Sequence, residues 1–173
     1  HLRRNRPTVW NVWGKAQAIN AGDALFTVAF LAIPWLSSHL SLDLDTSTQI
    51  RVLGEVCLEL TRGQHLDMSF EARDNVSTDS YLDMIEGKSA ALLSGAAELG
   101  ALSASAPPKL LSHYRAFGRN LGMAFQVQDD ILDVWGESEL TGKQAAIDIH
   151  QRKKSLPVLY GLTNSEELRE IYQ

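Results

Sequence analysis

Three observations predict an all-α fold. Strict alternation of apolar and polar residues, the mark of a half-buried strand, is absent; long stretches rich in Ala, Leu, Glu and Met recur; and short Pro-, Gly-, Asp- and Ser-containing loops separate them. With 173 residues, 45% hydrophobic and 21% charged, the chain has material for one sizeable core. It reads as a single domain, 1–173, or as one piece of a larger one.

The first helix is expected from about Thr8 to Ile33, stopped by Pro34. Its AINAGDALFTVAFLAI segment is apolar around almost the whole circumference, which implies burial on every side, either at the centre of a bundle or against a second copy. A polar link from Ser37 to Asp45 leads to a second helix over Thr46–Glu71, and RDNVST precedes a third over Thr78–Ser103. Pro107 and Pro108 open a fourth, because proline suits a first turn whose N–H groups lack intrahelical acceptors anyway; it runs to about Trp135. GESELTGKQAAID reads as a loop, and Pro157 opens a shorter helical end.

The net charge of −5 argues against a general nucleic-acid or anionic-membrane surface. Two basic clusters nevertheless stand out, Arg3, Arg4 and Arg6 near the start and Arg152, Lys153 and Lys154 near the end. Each is either a solvated charge run or a contact for a small anion. Cys57 is the only cysteine, so an intrachain disulfide and a cysteine-built zinc site are excluded, and a reducing, cytoplasmic setting is expected. The five histidines show no metalloprotease spacing. The longest apolar run, ALFTVAFLAIPWL, is interrupted by Pro34 and falls short of the ~20 residues that span a bilayer, so no transmembrane segment is expected.

The chemistry concentrates in FQVQDDILDVW. On a helix Gln126, Asp130 and Asp133 fall at i, i+4 and i+7, and Asp129 lies four before Asp133, so the acids share a face. Gly118 and Gly122 continue that face, as though it bordered a cavity with a charged mouth. The acids form either a solvated helix end or ligands for Mg²⁺, a hard cation that takes oxygen donors and shares them with substrate phosphates. Lys88 lies in one stripe with Tyr81, Met84, Leu92 and Gly95, and either snorkels to solvent or points into a polar pocket. Gln64 and Asp67 form a polar pair at i, i+3 after Gly63. With Lys143 and Lys153, the set offers acids for a metal and cations for phosphate oxygens, as a Mg²⁺-held diphosphate requires.

In order and separation, RRNRPT, AINAGDAL, RGQHLD, YLDMIEGKSA, GMAFQVQDDILDVWG, TGK and DIHQRKKSLPVL resemble the trans-type polyprenyl diphosphate synthases, the farnesyl and geranylgeranyl diphosphate synthase family. The resemblance covers essentially the whole chain. It implies an isoprenoid-synthase helical bundle around a central hydrocarbon cavity, working as a homodimer. It also implies condensation of isopentenyl diphosphate with an allylic diphosphate into a longer trans-prenyl diphosphate. Carried over by position, Asp129, Asp130 and Asp133 match the family's second aspartate-rich motif, which holds Mg²⁺ on the allylic diphosphate. Lys88, Lys143 and Lys153 match the lysines that grip that diphosphate, and Ser89 stands where the family often has Thr. Gln126 matches the glutamine beside the motif; Gln64 and Asp67 match a polar patch on the opposing helix. Arg3 and Arg4 match an arginine pair, the first directed to the allylic diphosphate and the second to isopentenyl diphosphate.

Asp129, Asp130, Lys88 and Lys153 are thus the expected catalytic set. The family's first aspartate-rich motif is absent from the sequence, and the pattern DDxxDxxxxRR expects its last aspartate at the third residue before His1. The chain accordingly reads as a partial synthase domain, incomplete by itself. Two alternatives remain: a class I terpene cyclase, against which DDILD argues, and a non-catalytic partner subunit, which need not retain the acids and lysines.

Overall fold

The computed structural model describes residues 2, 3, 6–40, 44–73, 75–136, 149 and 153–172, the first two by backbone alone. The described secondary structure is helical apart from a two-residue antiparallel ladder, β1 (Leu2–Arg3) with β2 (Arg6–Pro7). The chain divides into two compact units, His1–Arg51 and Val52–Gln173.

In the first unit, α1 (Val9–His39) runs through Pro34 instead of stopping there. Proline lacks the N–H that would bond back to the preceding turn, but its fixed φ is helical, so the ladder loses one bond and resumes. The interruption lies at Gly14, whose φ of 83° and ψ of 164° are open to glycine and strained for other residues. The bundle-centre burial expected as one alternative for α1 is not found within this chain. None of its described residues is buried, and Trp13, Leu25, Phe26 and Leu31 are largely exposed. By length and composition alone, the 31-residue α1 is long and apolar enough to cross a membrane, a test that the core helix of a soluble protein also passes.

Helix α2 (Thr46–Phe70) opens at Asp45, whose carboxylate accepts the Thr48 N–H at 3.0 Å. In the second unit, the Ser77 hydroxyl accepts the Ser80 N–H at 3.1 Å and starts α3 (Thr78–Ile85). A π-helical turn, Glu86–Ala90, joins α3 to α4 (Ala91–Ser103) without a break in the helix. Then come α5 (Pro108–Trp135), with proline in its first turn, α6 (Leu156–Asn164) and α7 (Glu166–Tyr172). The core of this unit gathers Phe70 from α2, Tyr81, Met84 and Ile85 from α3, and Leu159 from α6. Leu66, Met123 and Val127 pack around them. Each large apolar side chain so buried contributes about 2 kcal/mol.

Glycines set how closely these helices approach. A Cβ on Gly63 would stand 2.1 Å from the Lys88 backbone nitrogen, and one on Gly87 would stand 2.7 Å from the Glu59 carbonyl oxygen, so α2 and the π turn meet backbone to backbone. Likewise Gly118 lies against the Leu93 carbonyl and Gly122 against Ala90. The expectation that these two glycines border a cavity is therefore corrected. They are the contact surface of α5 on α4 and the π turn, where a side chain has no room.

Candidate functional site

The close crossing at Gly63 and Gly87 carries the next residues into contact. One turn beyond Gly63, Asp67 accepts a 2.7 Å bond from the Lys88 ammonium, joining α2 to the π turn. Both side chains are largely sheltered, so Lys88 is not a snorkelling lysine. The neighbouring Ser89 turns to the other side and donates to the Gln126 Oε1 on α5. Gln126 in turn donates through Nε2 to Asp130 Oδ1 at 2.8 Å.

Asp130 is the most constrained of the acids, at 5% exposure. Its Oδ2 accepts from the Tyr81 hydroxyl at 2.7 Å and from the Leu156 N–H at 3.1 Å. One carboxylate thus joins α3, α5 and the first residue of α6. Its negative charge is matched by three donors, as a buried charge requires. Burial, reinforced by the hydrogen bond to Asp130, pushes the Tyr81 phenol far above its ordinary range, so Tyr81 remains a donor.

Asp129 and Asp133 line the same cavity, of about 330 Å³, with Asp67, Tyr81, Lys88 and Gln126. Lys153, Lys154 and Ser155 close it from the segment that leads into α6. Two contacts from α7 fix that segment. The Tyr172 hydroxyl donates to the Lys153 carbonyl at 3.0 Å, and the Lys154 ammonium stands 5.0 Å from the Tyr172 ring centroid. Acids and lysines in one lining make a place where a polyanion and its counter-cations fit together. A second cavity, of about 620 Å³, is a poorer candidate. There Arg62 is bonded to Glu59 and Asp83, Arg119 to Glu86, and Arg115 to Glu98, so each of its three arginines is already paired with an acid.

Among the described residues, no three His, Cys, Asp or Glu side chains are arranged to hold a metal by themselves. Asp129 and Asp133 still fit a hard divalent cation such as Mg²⁺, which takes one or two protein carboxylates and completes its shell with water and substrate oxygens. Asp130 fits that role less well, since its two oxygens already accept three bonds.

The expected residues divide clearly. Asp67, Lys88, Gln126, Asp129, Asp130, Asp133 and Lys153 line one cavity, and Ser89 braces Gln126 behind it. Gln64 lies exposed on α2 and is not among the lining residues. Arg4 and Lys143 lie outside the described residues, as does the side chain of Arg3.

The sequence pattern of the polyprenyl synthetase family matches residues 1–173. The chain belongs to the polyprenyl synthetase family. It is 44% identical over 161 residues to the (2E,6E)-farnesyl diphosphate synthase of Mycobacterium bovis, covering 91% of this chain and 43% of that protein. Among solved structures, the polyprenyl synthetase of Streptomyces coelicolor A3(2) superposes with a TM-score of 0.90 at 40% identity, over 99% of this chain and 50% of that one. The polyprenyl synthase of Caulobacter crescentus CB15, crystallised with calcium and isoprenyl diphosphate, gives a TM-score of 0.83 at 31% identity, over 98% of this chain and 50% of its own. This polyprenyl synthetase chain thus spans about half the length of the relatives it matches.

Sequence reasoning did not assign Tyr81, Met84, Lys154 or Ser155 to the site, although all four line the polyprenyl synthetase cavity. Tyr81 was visible only as an apolar member of the Lys88 stripe, although the seven-residue spacing between them places both on one helix face. Ser155 had a local signal, a serine two residues before Pro157, which marks a helix start and says nothing of a cavity.

Proposed function

We propose that the protein carrying this chain is a Mg²⁺-dependent polyprenyl diphosphate synthase, condensing isopentenyl diphosphate with an allylic diphosphate. The observation that carries this reading is the single cavity lined by Asp129 and Asp133 together with Lys88 and Lys153. Membership of the family and the names of the relatives support the same activity.

In this reading Lys88 and Lys153 hold the allylic diphosphate by its oxygens. The bond between the allylic carbon and the diphosphate oxygen breaks with both electrons leaving on oxygen. The lysines favour that step because they stabilise charge that grows in the transition state. Asp129 and Asp133 would hold Mg²⁺, which supplies further positive charge to the leaving diphosphate. The double bond of isopentenyl diphosphate then attacks the allylic cation, and the adduct loses a proton to the departed diphosphate. Asp67 holds Lys88 in place, and Ser89 orients Gln126 toward Asp130.

The exposed apolar surface of α1 is read as the interface with a second copy of the chain, and the protein as cytoplasmic. The direct test is incubation of the protein with labelled isopentenyl diphosphate, Mg²⁺ and allylic primers of increasing length. Labelled prenyl diphosphate is the expected product. Cyclised hydrocarbon, or no turnover with any primer, would overturn the assignment.

A further inference from the structure

Ser155 immediately precedes α6, the position from which a serine hydroxyl ordinarily accepts the N–H of the second or third helical residue. Here the second residue is Pro157, which has no N–H, and the hydroxyl does not cap the third, Val158. The first N–H, that of Leu156, is committed to Asp130. Ser155 is only 6% exposed, and its Oγ is buried with no hydrogen-bond partner. Buried hydroxyls are almost always bonded, so an orphan at the wall of a cavity needs an explanation.

Ser155 lines the cavity beside Lys153 and Lys154, in one lining with Asp129 and Asp133. Rotation about its Cα–Cβ bond moves Oγ among three staggered positions without disturbing the backbone. The backbone itself is held on both sides, by the Leu156 bond to Asp130 and by the Tyr172 bond to the Lys153 carbonyl. Lys153, a cation suited to phosphate oxygens, lines the cavity beside Ser155. The unpaired Ser155 hydroxyl has a proton to donate, and a diphosphate in the cavity would be rich in acceptors.

We infer that Ser155 is a diphosphate-binding residue, its hydroxyl donating to a diphosphate oxygen seated between Lys153 and the α6 N-terminus. The inference rests on reading this cavity as a diphosphate site. No competing role as a helix cap exists in the ligand-free protein, so removing the hydroxyl separates binding from folding. A hydrogen bond to a charged oxygen corresponds to about a tenfold change in affinity.

Calorimetric titration of the protein with inorganic diphosphate in saturating Mg²⁺, paired with thermal unfolding without ligand, tests the assignment. Ser155→Ala is expected to bind diphosphate about tenfold more weakly, with Tm unchanged or slightly raised. Equal diphosphate binding by Ser155→Ala and the unmodified protein overturns the inference, whatever happens to Tm. If Ser155→Ala is both weaker in binding and lower in Tm, Ser155→Thr decides: recovered binding supports the hydroxyl donor, and persistent loss overturns it. Absence of diphosphate binding by the unmodified protein rejects the diphosphate site itself, a result distinct from failure of the Ser155 assignment alone.

Discussion

Asp129 and Asp130 are adjacent in sequence and differ in surroundings. Asp129 stands half-buried at the cavity wall, whereas Asp130 is enclosed and bonded to Tyr81, Gln126 and the Leu156 amide. Their substitutions should therefore separate function from stability. Asp130→Ala leaves a buried phenol and a backbone N–H without an acceptor and should destabilise the protein by about 3 kcal/mol in urea unfolding. Asp129→Ala should cost within about 1 kcal/mol but reduce turnover by about a hundredfold or more. Equal losses of stability would mean that the two carboxylates are not so divided. Tyr81 adds a pH signature. Its phenol keeps its proton in the folded state, while in the unfolded chain it ionises near pH 10, so the unfolded state binds fewer protons there and stability falls as pH rises past about 10. Tyr81→Phe should flatten that decline relative to the unmodified protein, measured by unfolding between pH 9 and 11. The acids, Lys88 and Gln126 stood out in the sequence as charged and amide side chains at helical spacing among apolar residues, and Lys153 as part of a short basic run. The division between Asp129 and Asp130 was not, because it depends on a tyrosine and an amide distant in sequence.

Between elements, the decisive contacts involve glycine. Gly63→Ala would drive a methyl group into the backbone at Lys88, and separation of α2 from the π turn should cost about 3 kcal/mol. The same shift would part Lys88 from Asp67, so activity should fall with stability. Gly100, inside α4, is a useful contrast: no atom lies within 4 Å of a Cβ built there. Gly100→Ala should stabilise the protein by about 0.5–1 kcal/mol, through helix propensity alone, with activity retained. Thermal unfolding of both variants checks the pair. Helix starts at Ser77, Pro108 and Pro157 were readable because capping and proline chemistry are local. The continuation through Pro34 was not, since one missing bond shortens a helix only if nothing else sustains it. The π turn also escaped the periodicity, because a single widened turn alters the phase of the apolar pattern too little to see in one sequence.

Over the whole molecule, α1 departs from the bundle-centre alternative, its apolar circumference being exposed in the single chain. The pattern itself was legible; what covers it is not encoded in one chain. If a second copy does so, Leu25→Glu combined with Phe26→Glu should convert a dimer to a monomer in light-scattering chromatography, because charges desolvated at an apolar interface oppose association. An unchanged dimer would remove α1 from the interface. The carboxylate of Asp130 carries a different consequence, for the order in which the protein assembles. Its partners lie 49 residues earlier, at Tyr81, and 26 residues later, at Leu156. Closing those loops costs chain entropy before either bond repays it. As the chain leaves the ribosome, the aspartate motif emerges well before the amide that completes its bonding, so the acid wall of the cavity cannot be finished until α6 has been made and docked.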